Sequence, residues 1–418
     1  MDRTIENLIE QERIRQNGGI ELIASENYAS VSVMRAQGSI LTDKYAEGYP
    51  NRRYYGGCEV IDQVENLAID RAKKLFNVQY ANVQPHSGSQ ANFAAYRALI
   101  EPGDRVLSLT LNDGGHLTHG SNASFSGRLY DFHFYPLGED GRIDYDLLEK
   151  MLDEVDPALL LAGYSAYPYA IDFKRMREIL DRHNQGREKK TLFMVDMAHI
   201  AGIVAAGLCQ NPCDYADLVT STTHKTLRGP RGGLILSNNE DLFKRIDSAV
   251  FPYTQGGPLE HVIAGKAVAF GEALHPAFKT YIQQVLENTK ACAARLGELG
   301  AKVSGTENHL FLCDVLHTYG LTGKEAQIRL TSIGITCNKN AIHNDTMPPS
   351  KTSGIRCGFA AATSRGCTKE QAIEIAELID TALRTQIDEE LEPLRTEVKK
   401  ITSTWRDIQT IEYPSIED

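Results

Sequence analysis

The sequence predicts an α/β protein with an open, mostly parallel sheet and a second, smaller domain towards the C-terminus. Its 418 residues, of which 42% are hydrophobic, are too many for one simple core. Helical patterns alternate with short apolar runs, as in sheets whose strands are joined by helices covering both faces. A long helical stretch over residues 260–299, interrupted at His275-Pro276, then leads into further strands.

One helix and a set of buried strands are predicted segment by segment. Apolar residues recur at helical spacing over residues 60–75, and Asn77, which tolerates a helix-ending conformation, follows them. Short apolar runs between helical or turn-rich segments indicate buried strands. These runs cover residues 105–111, 158–162, 192–195, 218–219 and 233–236, with 309–314 and 355–358 in the smaller domain.

Three parts of the chain are expected. Residues 1–35 form an N-terminal helical arm, residues 36–275 a large domain, and residues 276–418 a small C-terminal domain. Because the arm offers little core of its own, we expect it to pack on a partner subunit.

The composition excludes several classes of function. Lysine and arginine total 44 against 55 aspartates and glutamates, and no basic block occurs, so we expect no nucleic-acid partner. No apolar stretch could span a bilayer and no apolar signal core is present, so we expect a cytoplasmic protein without a membrane partner. The eight scattered cysteines favour buried free thiols in a reduced compartment. Cys209 with Cys213, and His116 with His119, lack further ligands, so no metal is expected.

Lys225 is the first residue whose setting indicates chemistry. It follows a predicted buried strand, directly after His224, and precedes Arg228 and several glycines. A lone lysine is ordinarily a surface residue. Desolvation beside cationic neighbours lowers the pKa of an amine, however, and a Schiff base with an aldehyde needs an amine that can lose its proton. Thr222 and Thr223 could hydrogen-bond a cofactor or the lysine nitrogen.

Asp196 ends another predicted strand, and His199 follows it by three residues. A carboxylate can hold a pyridine nitrogen protonated, and pyridoxal 5′-phosphate (PLP) is an electron sink only while that nitrogen carries charge. His199 could then hydrogen-bond the ring oxygen or the substrate. An isolated aspartate after a strand is more often a helix cap, and it is Lys225 in the same chain that favours the cofactor.

Two segments are candidate anion sites. Ser87, Gly88 and Ser89 open a predicted helix, whose first amides point towards an incoming phosphate. Such a serine and glycine pattern is also common in a plain loop with a helix cap. Gly256 and Gly257 form the second candidate, with the same alternative.

Taken together, these segments resemble the serine hydroxymethyltransferase family over nearly the whole chain. Besides the Ser87, Asp196 and Lys225 segments, the resemblance is carried by Ile20-Glu-Leu-Ile-Ala-Ser25-Glu-Asn-Tyr28, Lys44-Tyr45-Ala-Glu47-Gly-Tyr-Pro50, Arg53-Tyr-Tyr55-Gly-Gly-Cys-Glu59, Gly114-Gly-His116-Leu-Thr-His119-Gly120 and Ser353-Gly-Ile-Arg356. The resemblance implies a PLP-dependent transferase of fold-type I, with a seven-stranded sheet and a smaller α+β domain. It further implies transfer of the hydroxymethyl group of L-serine to tetrahydrofolate, leaving glycine, in a homodimer or tetramer with shared active sites.

The resemblance also implies a role for each site residue. Lys225 would bind the cofactor aldehyde, Asp196 the ring nitrogen, and His116 would stack on the ring. With these, Glu47, His224 and Tyr55 would be catalytic. The remaining cofactor contacts would be Ser87, Gly88, Ser89, Ser165, His199, Thr222, Gly256 and Gly257, the last two serving the phosphate of the neighbouring subunit. Substrate would meet Ser25, Tyr45, Glu47, Tyr55 and Arg356, and folate would meet Leu111, Gly114, Gly115, Leu117 and Asn340.

Two of these roles have a clear chemical reason. The planar fork of Arg356 can grip the substrate carboxylate through two hydrogen bonds, which a lysine could not reproduce. Glu47, among tyrosines, would move protons at the reacting hydroxyl and folate nitrogen, because a carboxyl group in a partly apolar site can stay protonated near neutrality. Taken alone, Arg356 could equally form a structural ion pair, and Glu47 could be an ordinary loop residue.

Several positions differ from the usual family pattern, and they bear mainly on folate. They are Tyr253-Thr254, Asn112-Asp113, Pro168 and Pro348-Pro349-Ser350, the last at a place where an apolar contact to the aminobenzoate is expected. The alternative function is therefore folate-independent aldol or retro-aldol chemistry on β-hydroxy or α-substituted amino acids. An inactive scaffold would show damage at catalytic positions, and none is seen.

Overall fold

The computed structural model describes residues 2–385 and 387–416, which form two compact units. The smaller unit combines Met1–Tyr28 with Thr280–Glu412, and the larger one combines Ala29–Lys279 with Tyr413–Asp418. The chain thus begins in the smaller unit, builds the larger one, returns to the smaller one, and then joins the larger one again. The predicted domain boundaries at residues 35 and 275 stay predictions. The outer limits of the predicted domains, residues 1 and 418, lie outside the described residues.

Helices account for much of the chain, and many begin at a residue whose side chain caps the first turn. Ser87, for example, accepts from the backbone N–H of Gln90, and Thr322 forms a reciprocal capping box with Glu325. The described helices are α1 (Arg3–Gly18), α2 (Val31–Gln37), α3 (Glu59–Phe76), α4 (Gly88–Leu99), α5 (Ser126–Leu129), α6 (Tyr145–Val155), α7 (Phe173–His183), α8 (Ala201–Ala205), α9 (Glu240–Ser248), α10 (Glu260–Leu274), α11 (Pro276–Glu298), α12 (Val315–Tyr319), α13 (Gly323–Ser332), α14 (Ala360–Arg365), α15 (Lys369–Arg384) and α16 (Leu391–Thr402).

Short strands complete the fold and belong to four separate sheets among the described residues. They are β1 (Ile20–Glu21), β2 (Gly48–Tyr49), β3 (Arg52–Arg53), β4 (Tyr80–Asn82), β5 (Arg105–Leu109), β6 (Asp131–Tyr135), β7 (Leu159–Gly163), β8 (Leu192–Asp196), β9 (Leu218–Thr222), β10 (Gly233–Ser237), β11 (Lys302–Val303), β12 (Leu310–Asp314), β13 (Ile335–Thr336), β14 (Asn338–Asn340) and β15 (Gly354–Gly358).

The larger unit contains the predicted seven-stranded sheet, in the order β4-β10-β9-β8-β7-β5-β6. The sheet is mixed, because β10 runs antiparallel to both of its neighbours while the other strands share one direction. The reason is the short connection over residues 223–232. It is too short for the crossover that would bring a following strand back in parallel, so the chain turns directly from β9 into β10.

The apolar runs of the sequence are the buried strands. Every residue of β7, β9 and β10 is buried, as expected for strands covered on both faces. The predicted limits of these strands lie close to the observed ones. The first strand is shorter than predicted and stops at Leu109, because residues 111–113 form a helical turn. Strand β6 was not among the predicted runs, since its polar residues Asp131 and His133 break the apolar pattern at the edge of the sheet.

The two predicted helix boundaries are confirmed. Helix α3 ends at Asn77, which adopts the left-handed conformation with φ 52°. Helices α10 and α11 are separate because Pro276 lacks a backbone donor and disfavours a helical His275, whose ψ is 139°.

The smaller unit is built on a second sheet. Its four strands are all antiparallel, in the order β11-β12-β15-β14, and β1 pairs with β13 in parallel beside it. The apolar sides of α13 and α15 pack into one core with these strands. Every cysteine of the chain is a free thiol, as predicted, and all but Cys209 are buried. None of the described helices is long and apolar enough to cross a membrane.

Helix α1 buries no residue, and Arg365 fixes its C-terminal end within the smaller unit. The guanidinium of Arg365 donates to the carbonyl oxygens of Gln16 at 3.0 Å, Asn17 at 2.9 Å and Gly19 at 3.1 Å. A buried cation here satisfies the last carbonyl groups of the helix and complements its dipole.

We predict that Arg365→Ala lowers the free energy of unfolding by roughly 3 kcal/mol, because it leaves partly buried carbonyl oxygens without donors. Arg365→Lys should cost less, since it keeps the charge but reaches fewer of these oxygens. Urea unfolding followed by far-UV circular dichroism measures both. Arg395→Ala, whose side chain is 51% exposed, is the control and should change stability by less than about 0.5 kcal/mol. Equal stabilities of Arg365→Ala and the control would contradict this account.

Candidate active site

The carboxyl ends of neighbouring strands gather several of the predicted site residues in the larger unit. Asp196 is the last residue of β8, and Lys225 follows the end of β9 by three residues. Because β8 and β9 are adjacent and parallel, with Asp196 paired to Thr220, both residues lie at the same edge of the sheet. This is the edge at which open α/β sheets bind their ligands.

Asp196 is a buried carboxylate held by donors from three segments. Its Oδ2 accepts from Asn92 Nδ2 at 2.8 Å and faces His119 Nε2 at 3.2 Å, while its Oδ1 accepts from the backbone N–H of Ala198 at 3.0 Å. Burial raises the pKa of Asp196, but the hydrogen bonds from His119 and Asn92 and the nearby His116 outweigh burial, so its pKa lies well below the ordinary value. The group is therefore an anion at neutral pH.

His119 carries its proton on the nitrogen that faces Asp196. Its Nδ1 accepts from the backbone N–H of His116 at 3.2 Å, which leaves Nε2 as the donor. The sequence offered the two histidines no acidic companion, and here the structure corrects that expectation, since ligand atoms of His116, His119 and Asp196 lie within 4.8 Å of one another. The Asp196 carboxylate is already hydrogen-bonded by His119. We therefore interpret the two histidines as groups that stabilise the charge of Asp196.

Lys225 is buried, with 8% of its surface exposed, and its Nζ donates to Thr222 Oγ1 at 3.2 Å. The next residue, Thr226, ties the two strand-end loops together. Its hydroxyl donates to the carbonyl oxygen of His199 at 3.1 Å and accepts from the backbone N–H of Gly202 at 2.8 Å. Residues 223–232, which contain Lys225 and which we call the lysine loop, are therefore held in a fixed relation to the loop after Asp196.

Arg228 closes the lysine loop in a conformation that non-glycine residues rarely adopt, with φ 59°. Its backbone N–H donates to the carbonyl oxygen of Lys225 at 3.1 Å. The guanidinium lies 3.5 Å from the centre of the Tyr413 ring, and the backbone N–H of Ile416 donates to Gly271 at 3.2 Å. The returning C-terminal segment of the larger unit thus packs directly on the lysine loop.

His224 has a buried nitrogen, Nδ1, with no hydrogen-bond partner among the described residues. Burial lowers the pKa of His224 to about 3, with Lys225 and Arg231 contributing. The imidazole is therefore neutral at pH 7. A buried polar atom without a partner normally costs free energy, which indicates a place for a further polar group.

The predicted anion loop lies at the N-terminus of α4. Ser87 caps the helix, and Gly88 packs so closely on the end of β9 that an added Cβ would lie 2.6 Å from Thr222 Cγ2. Glycine is thus needed for the loop to approach the lysine strand. Ser89, one residue further, is exposed. A helix N-terminus with a capping serine favours an anion such as phosphate.

These residues fit PLP. The cofactor needs an amine for its aldehyde, a carboxylate for its ring nitrogen and donors for its phosphate. Lys225, the ionised Asp196 and the start of α4 supply these three, and the unpartnered His224 nitrogen offers one more polar contact.

A second group of predicted residues lies together in the same unit. The rings of Tyr45 and Tyr55 meet edge to face with centroids 5.3 Å apart, and Tyr45 Oη lies 3.4 Å from Glu47 Oε1. An added Cβ on Gly256 would lie 3.6 Å from the Glu47 carboxylate, and one on Gly257 would lie 3.3 Å from the Tyr45 ring. About half of each tyrosine surface is exposed. We call these five residues the tyrosine cluster.

Arg53 fixes the backbone on both sides of Glu47. Its buried guanidinium donates from Nη1 to the carbonyl oxygens of Ala46 at 2.9 Å and Gly48 at 3.0 Å. Its Nη2 forms an ion pair with Glu65 at 2.8 Å. The fork geometry of arginine therefore sets the position from which the Glu47 side chain starts.

The predicted folate residues of the larger unit lie on the loop after β5. Leu111 and Leu117 are 43% and 50% exposed, while Gly114 and Gly115 are buried between them. The Gly114 carbonyl oxygen accepts from the backbone N–H of Ser165 at 2.7 Å, which joins this loop to the segment after β7. Two exposed leucines on one loop offer an apolar surface to a flat ligand.

Three predicted residues belong to the smaller unit. Arg356 lies buried on β15 and donates from Nε to Asn338 Oδ1 at 3.1 Å. Burial lowers the pKa of Arg356 to about 10, so the guanidinium is still a cation at neutral pH. A bound anion would stabilise this charged form. Asn340 ends β14 opposite Gly354, and Ser25 is half-buried.

Two of the departures from the usual pattern, at Tyr253 and at Pro348-Pro349-Ser350, have ordinary structural roles. Tyr253 lies under the guanidinium of Arg97 at 4.8 Å. The carbonyl oxygen of Pro348 accepts from the backbone N–H groups of Lys351 at 2.9 Å and Thr352 at 3.0 Å, so residues 348–352 form a turn. This turn is largely exposed and offers no aromatic side chain.

The sequence missed the supports of Asp196. Asn92 bonds Asp196, donates to Thr118 Oγ1 at 2.8 Å and accepts from Thr220 Oγ1 at 2.6 Å. The sequence does contain a signal for Asn92 as a site residue, because Asn92 lies one helical turn after Gly88 and so shares its face of α4. The only sequence signal for His119 is its spacing from His116, and this spacing equally suggests a metal site.

A model of the protein family described as "Serine hydroxymethyltransferase" matches residues 1–379 of the chain. The match includes all of the predicted site residues, from Ser25 to Arg356. Members of that family are PLP-dependent enzymes that transfer hydroxymethyl groups between serine and glycine.

We predict a pH dependence of stability from His224. Its pKa is about 3 in the folded protein against 6.5 ordinarily, so between these values the unfolded state binds a proton that the folded state does not. The folded state therefore loses stability as the pH falls below 6.5, by roughly 2 kcal/mol at pH 5 from this one group.

His224→Gln should remove this component, so that cofactor-free variant and wild type differ in their stability loss between pH 7.5 and pH 5. Urea unfolding at both pH values measures it. His133→Gln, at a histidine with a 39% exposed side chain, is the matched control. Identical pH profiles for wild type and His224→Gln would contradict the neutral, buried state of this imidazole.

Proposed function

The chain belongs to the serine hydroxymethyltransferase family of PLP-dependent enzymes, and we propose that it transfers the hydroxymethyl group of L-serine to tetrahydrofolate. The products are glycine and 5,10-methylenetetrahydrofolate, and the reaction is reversible. The observation that carries the proposal is the buried amine of Lys225 at the same sheet edge as the ionised Asp196.

Bound PLP supplies an electron sink for the pair of electrons released when a bond to the amino-acid α-carbon breaks. Lys225 would bind the cofactor aldehyde, and Asp196 would hold the proton on the ring nitrogen. Ser87, Gly88 and Ser89 would bind the phosphate. His116 would stack on the ring, and His199, Ser165, Thr222 and His224 would contact its polar atoms.

The substrate is bound and its protons are moved by other residues. Arg356 would grip the carboxylate through its planar fork, with Ser25 beside it. Glu47, placed by Arg53 and hydrogen-bonded by Tyr45, would move the proton between the substrate hydroxyl and the folate nitrogen. Tyr55 would line this position and exclude water. Leu111, Gly114, Gly115, Leu117 and Asn340 would hold the folate.

A second candidate is supported by the turn at residues 348–352. Its exposed Pro348-Pro349-Ser350 offers no aromatic contact to the aminobenzoate of folate. A paralogue that performs folate-independent aldol or retro-aldol chemistry on β-hydroxy or α-substituted amino acids would use the same Lys225, Asp196 and Arg356.

We further propose a cytoplasmic homodimer, or a tetramer of two such dimers, with shared active sites. Gly256 and Gly257 would bind the phosphate of the neighbouring subunit, and the other members of the tyrosine cluster lie against them in the same chain. The whole cluster would therefore serve the neighbour, which agrees with the exposure of Tyr45 and Tyr55 in the single chain.

We predict that glycine formation from L-serine depends on tetrahydrofolate. The holoenzyme is incubated with L-serine with and without tetrahydrofolate, and glycine is measured by NMR; the rate should rise at least tenfold with the folate, because only then is the one-carbon unit accepted. Lys225→Ala should lose both the visible absorbance of the bound cofactor and this activity. Glycine released equally fast without folate, from serine or from other β-hydroxy amino acids, would favour the aldol alternative.

Shared active sites predict complementation between two inactive variants. Lys225→Ala and Glu47→Gln should each be inactive, but mixed dimers carry one site with both residues intact. Random re-association of equal amounts should restore about one quarter of wild-type activity, since half of the dimers are mixed and each has one working site. Co-purification of untagged Glu47→Gln chains with affinity-tagged Lys225→Ala chains confirms the exchange. A mixture that exchanges and stays inactive would place Lys225 and Glu47 of one site in the same chain.

A further inference from the structure

A lysine with no part in the proposed chemistry lies buried behind the anion loop. Lys266, in α10, exposes only 1% of its surface. Its ammonium donates to three backbone carbonyl oxygens, those of Val83 at 2.6 Å, Gly233 at 2.8 Å and Pro85 at 3.1 Å. An ammonium group has three N–H bonds, so these three acceptors use all of its donors.

Two of the three acceptors lie in the segment between β4 and the anion loop, and the third begins the neighbouring strand β10. Val83 and Pro85 follow β4 and lead into Ser87, while Gly233 begins β10. The backbone N–H of Gly233 donates to the Pro85 carbonyl oxygen at 2.9 Å, and an added Cβ on Gly233 would lie only 2.3 Å from the Ser87 carbonyl oxygen. The start of β10 is therefore the surface on which Ser87 rests.

The surroundings are shaped around this side chain. An added Cβ on Gly232 would lie 2.4 Å from Lys266 Cε, so the glycine there leaves the space that the lysine stem occupies. Burial lowers the pKa of Lys266 to about 7, while Glu65 and Glu260 oppose that shift. The three acceptors favour the ammonium form, because a neutral amine would turn a lone pair towards a carbonyl oxygen.

Three carbonyl oxygens that converge on one point repel one another unless a cation lies between them. Small monovalent cations are bound in proteins by such rings of carbonyl oxygens. Here the cation is part of the chain. Without it the ends of β4 and β10 would separate or admit water, and the capping residue of α4 would lose its fixed position.

We propose that Lys266 is a positioning residue for the cofactor phosphate: its ammonium acts as a built-in monovalent cation that holds β4 and β10 together and thereby fixes Ser87 and Gly88. The inference rests on the proposed function, because it takes the N-terminus of α4 as the phosphate site. Lys266 itself does not touch the cofactor in this account.

The test compares PLP with pyridoxal, which has the same ring and aldehyde but no phosphate. Binding of each to the cofactor-free full-length protein is measured by absorbance titration for wild type, Lys266→Met and the control Lys244→Met, whose side chain on α9 is 68% exposed. For Lys266→Met we expect PLP affinity to fall at least tenfold and pyridoxal affinity to change less than twofold. The control should match wild type for both. Equal losses for the two ligands, or no loss of PLP affinity, would overturn the proposal.

A second variant covers the case in which Lys266→Met does not fold. Lys266→Ala leaves a cavity lined by the same carbonyl oxygens, into which methylammonium can donate, whereas tetramethylammonium at equal ionic strength cannot. Methylammonium alone should restore PLP affinity at least fivefold. Absence of rescue in folded Lys266→Ala, or failure of both variants to fold with methylammonium present, would show that the side chain serves the fold in general and would overturn the proposal.

The outcomes separate this inference from the proposed function. If wild type binds PLP and Lys266→Met binds it equally well, only the proposed role of Lys266 is contradicted. A wild-type protein that fails to bind PLP contradicts the proposed function itself.

Discussion

The buried carboxylate of Asp196 is the constraint on which the rest of the site depends. An isolated charge inside a protein costs several kcal/mol, so this group stays ionised only while donors surround it. The donors come from α4 through Asn92, from the loop after β5 through His119, and from the backbone of Ala198. Since Asn92 lies on the helix that begins at the anion loop, satisfying one carboxylate also places the start of α4 at the sheet edge that carries Lys225.

The parts of this arrangement that could be predicted from the sequence are those written in local patterns. Apolar runs marked β7 to β10, and a carboxylate and a lysine at the ends of two such runs already indicated Asp196 and Lys225. The reversed direction of β10 was not predicted, because it depends on a short connection and on pairing with β4, which is far away in the chain. The role of His119 depends on a partner 77 residues away, which no local spacing reveals.

Beneath the site, two buried cations bond backbone carbonyl oxygens beside the functional loops. Arg53 holds the carbonyl oxygens beside Glu47, and Lys266 holds those beside the anion loop. Gln84 joins the two regions, since its amide donates to the carbonyl oxygen of Gly48 at 2.9 Å and to Glu65 at 2.8 Å. Buried ion pairs seldom add net stability, so the benefit of this layer is geometric. It sets two loops at fixed positions with groups that neither loop contains.

The return of residues 413–416 to the larger unit has a consequence for how the protein is made. A ribosome releases Arg228 long before it releases Tyr413, yet the ring of Tyr413 lies against the guanidinium of Arg228 at 3.5 Å. During synthesis the packing of the lysine loop is therefore completed only after the last part of the smaller unit has emerged from the ribosome. Domains generally fold in the order in which they leave the ribosome, but here the larger unit acquires this contact only after the smaller unit has been translated.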